Sequence, residues 1–229
     1  MVKRLKRILI ATAIGLVLCT AGVWALTRLL DEGVPRYQGR LLSSWRDQAN
    51  SADAAASAQA RFVVNTNIIP QLERIMFTDT NDSRLRLAVI DQLNDLPGVH
   101  IYFTVAYGRR AAAAEALGEL GPLAQAAIPD LLKALKGMDP ALRPNAAVAL
   151  GQIHSQPELI IPLLVTLLDD AEDGVPASAA TALGEFGELS KPAVPKLLEM
   201  SKIREKDLHA AVMVALKHIA PDEASKVGY

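Results

Sequence analysis

Cysteine and aromatic residues are scarce in this 229-residue chain, and their scarcity excludes several classes of protein. The single cysteine, Cys19, excludes a disulfide framework and any zinc site built from several cysteines. The sequence also lacks the G-x-S-x-G, Walker and H-E-x-x-H motifs of common enzyme classes. We therefore predict no catalytic residues, no metal and no cofactor, and we expect a protein that is not an enzyme.

Aliphatic residues dominate what is present. Hydrophobic residues make up 51% of the chain, and 37 residues are alanine. This composition excludes a disordered chain and favours closely packed helices, because alanine stabilises helices and lets them approach one another. All 25 acidic residues lie at Asp31 or later, so the body of the chain is mildly acidic and nucleic acid is not an expected partner.

The N-terminal segment has a different character. Residues 8–26 carry no charge, and as a helix they would span roughly 28 Å at ~1.5 Å per residue, close to the thickness of a bilayer core. Basic residues precede this segment, which predicts a cytoplasmic N-terminus and an extracytoplasmic, periplasmic body on a bacterial membrane. A secreted protein, produced by signal cleavage near Ala25, is the alternative. The expected membrane anchor contains Ile8, Leu16, Leu18, Trp24 and Leu26.

Two short motifs recur along the body of the chain at one period. An Ala-Leu-Gly triplet begins at positions 116, 149 and 182, and Ala-Leu-Lys follows at position 215, each 33 residues after the last. Ile-Pro or Val-Pro pairs begin in phase with it at positions 128, 161 and 194. Two phased motifs at one spacing indicate a protein built from stacked repeats.

Each repeat is predicted to contain two helices. The first is alanine-rich, as at residues 110–120, and ends at a Gly-Pro stop signal. The second begins with proline in its first turn. Its apolar residues then fall on one face, as do Ile128, Leu131, Leu132 and Leu135. One such pair cannot bury this face alone, so stacking predicts an all-α fold of the α-solenoid type.

A D-x-x-V/L-R pattern opens two of the units, at residues 82–86 and 139–143, and in a third Pro176 stands where the arginine would be. With the helical pairs, this pattern resembles HEAT repeats of the short kind related to phycobilisome lyases. The lead-in at residues 37–45 is similar to that of membrane-anchored bacterial HEAT-repeat proteins. The resemblance implies a right-handed superhelix of HEAT-type pairs, here preceded by one transmembrane helix.

The sequence divides into four segments. Residues 1–30 form a basic cap and signal anchor, and residues 31–50 form a juxtamembrane lead-in. Divergent helical repeats at 51–107 precede regular 33-residue repeats at 108–229. The conformation of residues 97–107 is left open. In the lead-in, Tyr37 and Trp45 are interpreted as a cap over the first apolar face or, alternatively, as a docking motif.

The resemblance implies that the second helices line the concave face, so we compared equivalent positions on them. The middle repeat offers leucines where its neighbours offer charged or softer residues, which predicts an apolar centre with a charged rim. The alternative is that these leucines pack on neighbouring helices. The predicted partner-binding residues are Asp130, Lys133, Leu163, Thr166, Leu167, Lys196, Glu199 and Met200.

These observations predict a non-catalytic scaffold that binds another protein at a bacterial membrane. One alternative, which the resemblance implies, is a bilin-lyase-like or other tetrapyrrole-handling enzyme. Another is a purely structural spacer in an envelope assembly. A HEAT-type repeat predicts the fold, whereas the function depends on the residues at the surface.

Overall fold

Helices account for most of the backbone in the computed structural model, which describes residues 36–79, 106–137, 139–203 and 205–227. The predicted all-α solenoid is confirmed for these residues, apart from one short hairpin. The predicted repeat opening at 82–86 lies outside the described residues. Of the segment 97–107, only the last two residues are described, and both belong to a helix.

A hairpin and a short helix open the described chain. Strands β1 (Arg36–Tyr37) and β2 (Arg40–Leu41) pair antiparallel, and helix α1 (Leu42–Ala49) follows directly. Gln38 and Gly39 between the strands have φ angles of 52° and 76°. Two successive residues with positive φ are typical of the tight turn of a two-residue hairpin.

Trp45 of α1 fixes this lead-in to the helices that follow. Its side chain is 6% exposed, and its indole N–H donates to the carbonyl oxygen of Tyr37 at 3.3 Å. The two rings meet edge to face, and the Arg40 guanidinium lies 4.3 Å from the centre of the indole ring. Arg46 donates to the carbonyl oxygen of Glu119 at 2.8 Å. The buried indole and the partly buried Tyr37 ring favour the interpretation of the lead-in as a cap.

The remaining helices follow as repeats of two helices joined by short segments. A divergent pair comes first: α2 (Ala54–Val63), a π-helical turn (Val64–Ile68) and α3 (Ile69–Thr78). The regular repeats are α4 (Ala106–Glu119) with α5 (Ile128–Leu135), α6 (Leu142–Ile153) with α7 (Pro157–Leu167), and α8 (Val175–Glu185) with α9 (Val194–Met200). The array closes with α10 (Lys206–Ile219) and α11 (Pro221–Lys226).

The first helices α4, α6, α8 and α10 stack side by side and form the core of the array. The leucine of each repeated triplet has 0% of its surface exposed, and the alanine before it is equally enclosed. Small residues let the helix axes come close, so the triplet marks the line along which consecutive repeats touch. These leucines are Leu117, Leu150, Leu183 and Leu216.

The second helices differ among the repeats in where they begin. Helices α5 and α9 start at their Ile-Pro or Val-Pro pair, after 3-10 segments at Gly121–Ala127 and Gly187–Ala193, as predicted. Helix α7 instead starts at Pro157, so Pro162 lies inside it and the predicted start is wrong for that repeat. The turn before α7 reaches the left-handed region at His154, where both neighbouring repeats have glycine.

No helix in the described ranges is long and apolar enough to cross a membrane. The predicted transmembrane segment 8–26, with Ile8, Leu16, Leu18, Trp24 and Leu26, lies outside those ranges. On this finding we correct the predicted single-pass bacterial membrane location, and no membrane anchor enters the functional argument.

Candidate partner-binding surface

Arginines tie the first helices to the loops that follow the second helices. Arg110 of α4 binds Asp139, in the loop between α5 and α6, through Nε and Nη2, each 2.7 Å from Oδ2. The other oxygen of Asp139 accepts from the backbone N–H groups of Ala141 and Leu142 at the start of α6. The pair therefore joins one repeat to the first turn of the next.

The next repeat has the same kind of link. Arg143 of α6 donates to Asp170 in the loop after α7, and about four fifths of each side chain is buried. Asp170 also accepts from the backbone N–H of Glu172 at 2.9 Å, which fixes the loop that leads into α8. In the third repeat the equivalent position is Pro176, which has no side-chain donor. The series of links ends there.

Two clefts open at consecutive repeat junctions. The first cleft, of about 420 Å³, lies between the α5–α6 turn and α7, and the second cleft, of about 340 Å³, lies between the α7–α8 loop and α9. The first cleft is lined by Leu135, Lys136, Gly137, Arg143, Leu163, Leu167, Asp170 and Glu172. Each of these has its counterpart 33 positions later in the second cleft: Leu168, Asp169, Asp170, Pro176, Lys196, Met200, Ile203 and Glu205. The clefts are therefore one structural feature repeated along the array.

Charge distinguishes the two clefts. In the first, Lys136 and Arg143 balance Asp170 and Glu172. In the second, Lys196 is the only cation among the lining residues that the structure describes. Six carboxylates line the second cleft with it: Asp169, Asp170, Glu172, Asp173, Glu199 and Glu205. The second cleft is therefore strongly acidic, whereas the first is balanced.

Lys196 is held by the carboxylates around it. Its Nζ lies 2.6 Å from Oδ1 of Asp169 and 3.7 Å from Oε2 of Glu199. The hydrogen bond to Asp169 is the main cause that raises the pKa of the Lys196 ammonium above its ordinary value, so the side chain stays charged at neutral pH.

The leucines and the methionine predicted to form an exposed apolar centre are largely buried. Leu167 and Met200 are 8% and 4% exposed, and Leu163 is half-buried against the core. The exposed apolar centre that we expected is therefore not present, because these side chains pack on neighbouring helices, as the alternative interpretation had it. Their accessible edges form the floors of the clefts. Thr166, next to Leu167 in the chain, is exposed and lines neither cleft.

Asp130 and Lys133, the remaining predicted rim residues, contact α3 and line neither cleft. The ammonium group of Lys133 lies 4.3 Å from the centre of the Phe77 ring, in the geometry of a cation–π contact. Partial burial and, secondarily, the charge of Asp130 raise the pKa of Glu73 on α3. The predicted set thus divides between the cleft region and a separate patch at α3 and α5.

Sequence reasoning missed most of the acidic residues of the second cleft. Four of them, Asp169, Asp170, Glu172 and Asp173, lie in the loop before α8, and Glu205 precedes α10. The sequence contained one signal, the replacement of the repeat arginine by Pro176. No group of three or more potential metal ligands occurs among the described residues.

Comparisons with known proteins agree with this architecture. A family model described as HEAT repeats matches residues 107–184 and 128–217. No curated protein matches the chain. The solved complex of CpcE and CpcF of phycocyanin lyase from Nostoc sp. PCC7120 is similar, with a TM-score of 0.50 and 18% identity. The match covers 84% of this chain and 69% of the other, and at this identity the likeness shows the fold alone.

The structural match also changes one prediction. A chain with this fold belongs to a lyase complex, which contradicts the expectation that the protein is not an enzyme, and we do not retain it. The membrane-anchored branch of the resemblance has no support in either comparison. The phased triplets, the repeated helices and the family model agree that residues 107–217 of this chain are similar to HEAT repeats.

Proposed function

We propose that this chain binds another protein along the edge that carries the two clefts. The observation behind this proposal is their exact 33-residue register, since stacked helices place equivalent groups about 10 Å apart. An extended polypeptide advances about 3.3 Å per residue, so side chains three residues apart would reach both clefts. A repeated, solvent-open edge of this kind suits a peptide segment better than it suits a compact ligand.

A photo-crosslinking experiment tests this proposal. Benzoylphenylalanine replaces the exposed Thr166, which adjoins the cleft residue Leu167 in the chain, and in a control chain it replaces Thr181, which is exposed on α8. In an extract of the source organism, we expect the Thr166 probe to capture a defined protein that the Thr181 probe does not capture. Equal labelling from both positions, or none from Thr166, would contradict binding at this edge.

Charge reversal extends the test to the predicted rim. The combined variant Lys133→Glu, Lys196→Glu and Glu199→Lys should weaken capture while the helical circular-dichroism signal stays unchanged, because all three head groups reach solvent. Glu188→Lys with Lys191→Glu provides a matched control on an exposed ion pair away from the clefts. Capture that depends only on the ends of the array would favour the spacer interpretation instead.

The second candidate function is that of a subunit in a bilin-lyase-like enzyme. The observation that favours it is the match over 84% of the chain to the complex of the two phycocyanin lyase chains. In this case the bound protein is a second HEAT-type chain or a tetrapyrrole-carrying protein. Titration with a linear tetrapyrrole should then shift the pigment's absorbance spectrum when the captured protein is present. An unchanged spectrum with the purified pair would exclude this candidate.

A further inference from the structure

The second cleft lacks the arginine that its place in the repeat would supply. Arg110 and Arg143 hold the two preceding positions, 33 residues apart, and each binds a carboxylate of the loop after its own repeat. The third position is Pro176, and it lies on the wall of the second cleft together with Glu205. Glu205 is the counterpart of Asp139, the carboxylate that Arg110 binds.

The chain itself thus shows which chemical group fits this position. Arg143 at the first cleft places a guanidinium against Asp170 while its aliphatic part lies beside the cleft's apolar side chains. The guanidinium is planar and offers parallel N–H donors that match a carboxylate. At the second cleft the counterpart of Asp170 is Ile203, while Glu205, the counterpart of the carboxylate that Arg110 binds, remains beside Pro176 among the lining residues.

We propose that the second cleft receives an arginine side chain from an extended segment of a partner protein, which supplies the link that Pro176 omits. The proposal rests on the protein-binding role stated above and names the chemistry of the group that is bound. The first cleft, with its balanced charges and the edges of Leu163 and Leu167, receives an apolar side chain of the same segment.

The second cleft is lined by both carboxylates and apolar side chains, which match the two parts of an arginine side chain. Its carboxylates come from three elements: the loop before α8, helix α9 and the residue that precedes α10. The apolar part of an arginine has matching surface on Met200, Leu208 and the 43% exposed Ile203. Lys196, the one cation among the described lining residues, is held by Asp169 at 2.6 Å, and Arg143 binds Asp170. The carboxylates of Glu172, Asp173 and Glu205 are then left to the incoming guanidinium.

The experiment uses the full-length protein and short labelled peptides. The probe is a Gly/Ser decapeptide that carries a leucine and an arginine three residues apart, made in both orders. Its matched controls replace the arginine with lysine or with citrulline, the neutral isostere. Binding is measured by NMR titration at low and at high salt, because an arginine–carboxylate contact weakens with ionic strength. We expect the citrulline peptide to bind about tenfold more weakly or worse.

Two substitutions at one position provide the decisive comparison. Pro176→Arg restores the repeat arginine, so it should occupy the cleft from within and reduce peptide affinity by about tenfold. Pro176→Ala removes the proline without filling the cleft, so this variant should bind the arginine peptide about tenfold more tightly than Pro176→Arg. Glu205→Gln should weaken the arginine peptide and leave the citrulline peptide unaffected. Equal binding to the Pro176→Arg and Pro176→Ala variants would overturn the proposal.

A further variant separates a partner's arginine from a cation of this chain. Arg204 adjoins Glu205 in the sequence and lies outside the described residues. If Arg204→Ala leaves the peptide affinity unchanged, the cleft is open to a partner; a tenfold gain would mean that the chain's own arginine is the occupant, which contradicts the proposal. Crosslinking at Thr166 without arginine-dependent peptide binding would leave the protein-binding role standing while this inference fails.

Discussion

Gly151 on α6 lies so close to Ala182 on α8 that a Cβ atom at position 151 would be 2.7 Å from the Cα atom of Ala182. The same relationship joins Gly118 to Ala149 and Gly184 to Ala215. Each glycine of the repeated triplet therefore meets the alanine of the next triplet. The last triplet ends in an exposed lysine at position 217, because no further first helix follows it among the described residues.

We predict that Gly151→Ala destabilises the array. The added methyl group would overlap backbone and side-chain atoms of Ala182, and overpacking of this kind costs about 1–3 kcal/mol. Alanine's higher helix propensity offsets at most about 1 kcal/mol of that cost. Urea unfolding should show a smaller effect for Gly184→Ala, where the nearest atom is 3.1 Å away. Equal unfolding free energies for both variants and the unmodified protein would refute the close approach.

Loss of the Arg110–Asp139 pair should destabilise the junction of the first two regular repeats. Arg110→Met leaves the partly buried Asp139 without its cation and removes the hydrogen bond that Arg110 donates to the carbonyl oxygen of Asp79. We expect a loss of about 1–3 kcal/mol in unfolding free energy. The exposed pair of Glu188 and Lys191 is the control, and Glu188→Gln should change stability by less than about 0.5 kcal/mol.

Glu73 should make stability fall as pH rises. Burial and the charge of Asp130 raise its pKa in the folded state above the ordinary value of 4.5, so folding is favoured while the carboxyl is protonated. This contribution is fully present below pH 4.5 and is lost as pH rises through the folded pKa. NMR titration of the Glu73 carboxyl should show a lower pKa in Asp130→Asn. No change in that variant would mean that burial alone causes the shift.

Two neighbouring members of the predicted site should respond differently to truncation. Leu167 is buried, so Leu167→Ala should cost about 2–5 kcal/mol of unfolding free energy. Thr166 is exposed, and Thr166→Ala should change stability by less than about 0.5 kcal/mol while reducing partner capture. Thermal unfolding of the two variants measures the contrast. A fully stable Leu167→Ala variant would mean that Leu167 is not part of the core.

Much of the fold could be predicted because residues that recur at a fixed spacing identify the buried core positions. A leucine that recurs every 33 residues beside small residues is expected at a helix contact, where the small neighbours let the backbones approach. Leu117 and its counterparts are all buried. Proline in the first turn located α5 and α9 correctly. The start of α7 could not be predicted, because Pro157 and Pro162 are both compatible with a first turn and only packing selects between them.

The candidate surface was less predictable. Repeat position identified Lys196 and Glu199, but it could not tell that Leu167 and Met200 turn their bulk toward neighbouring helices. Nor could it show that loop residues such as Asp169 come within 2.6 Å of Lys196 on the following second helix. Distances between residues nearly 30 positions apart depend on how closely the helices stack.

By itself, the sequence determined the helical pairs, their period and the residues that form the core, because these follow from spacing and side-chain size along one chain. It also showed that Pro176 replaces an arginine. Only the tertiary structure decided that this replacement leaves an acidic cleft beside Glu205, and that the first cleft is balanced by Arg143. Charges from separate loops act together only when the stacked repeats bring them within a few ångströms of one another.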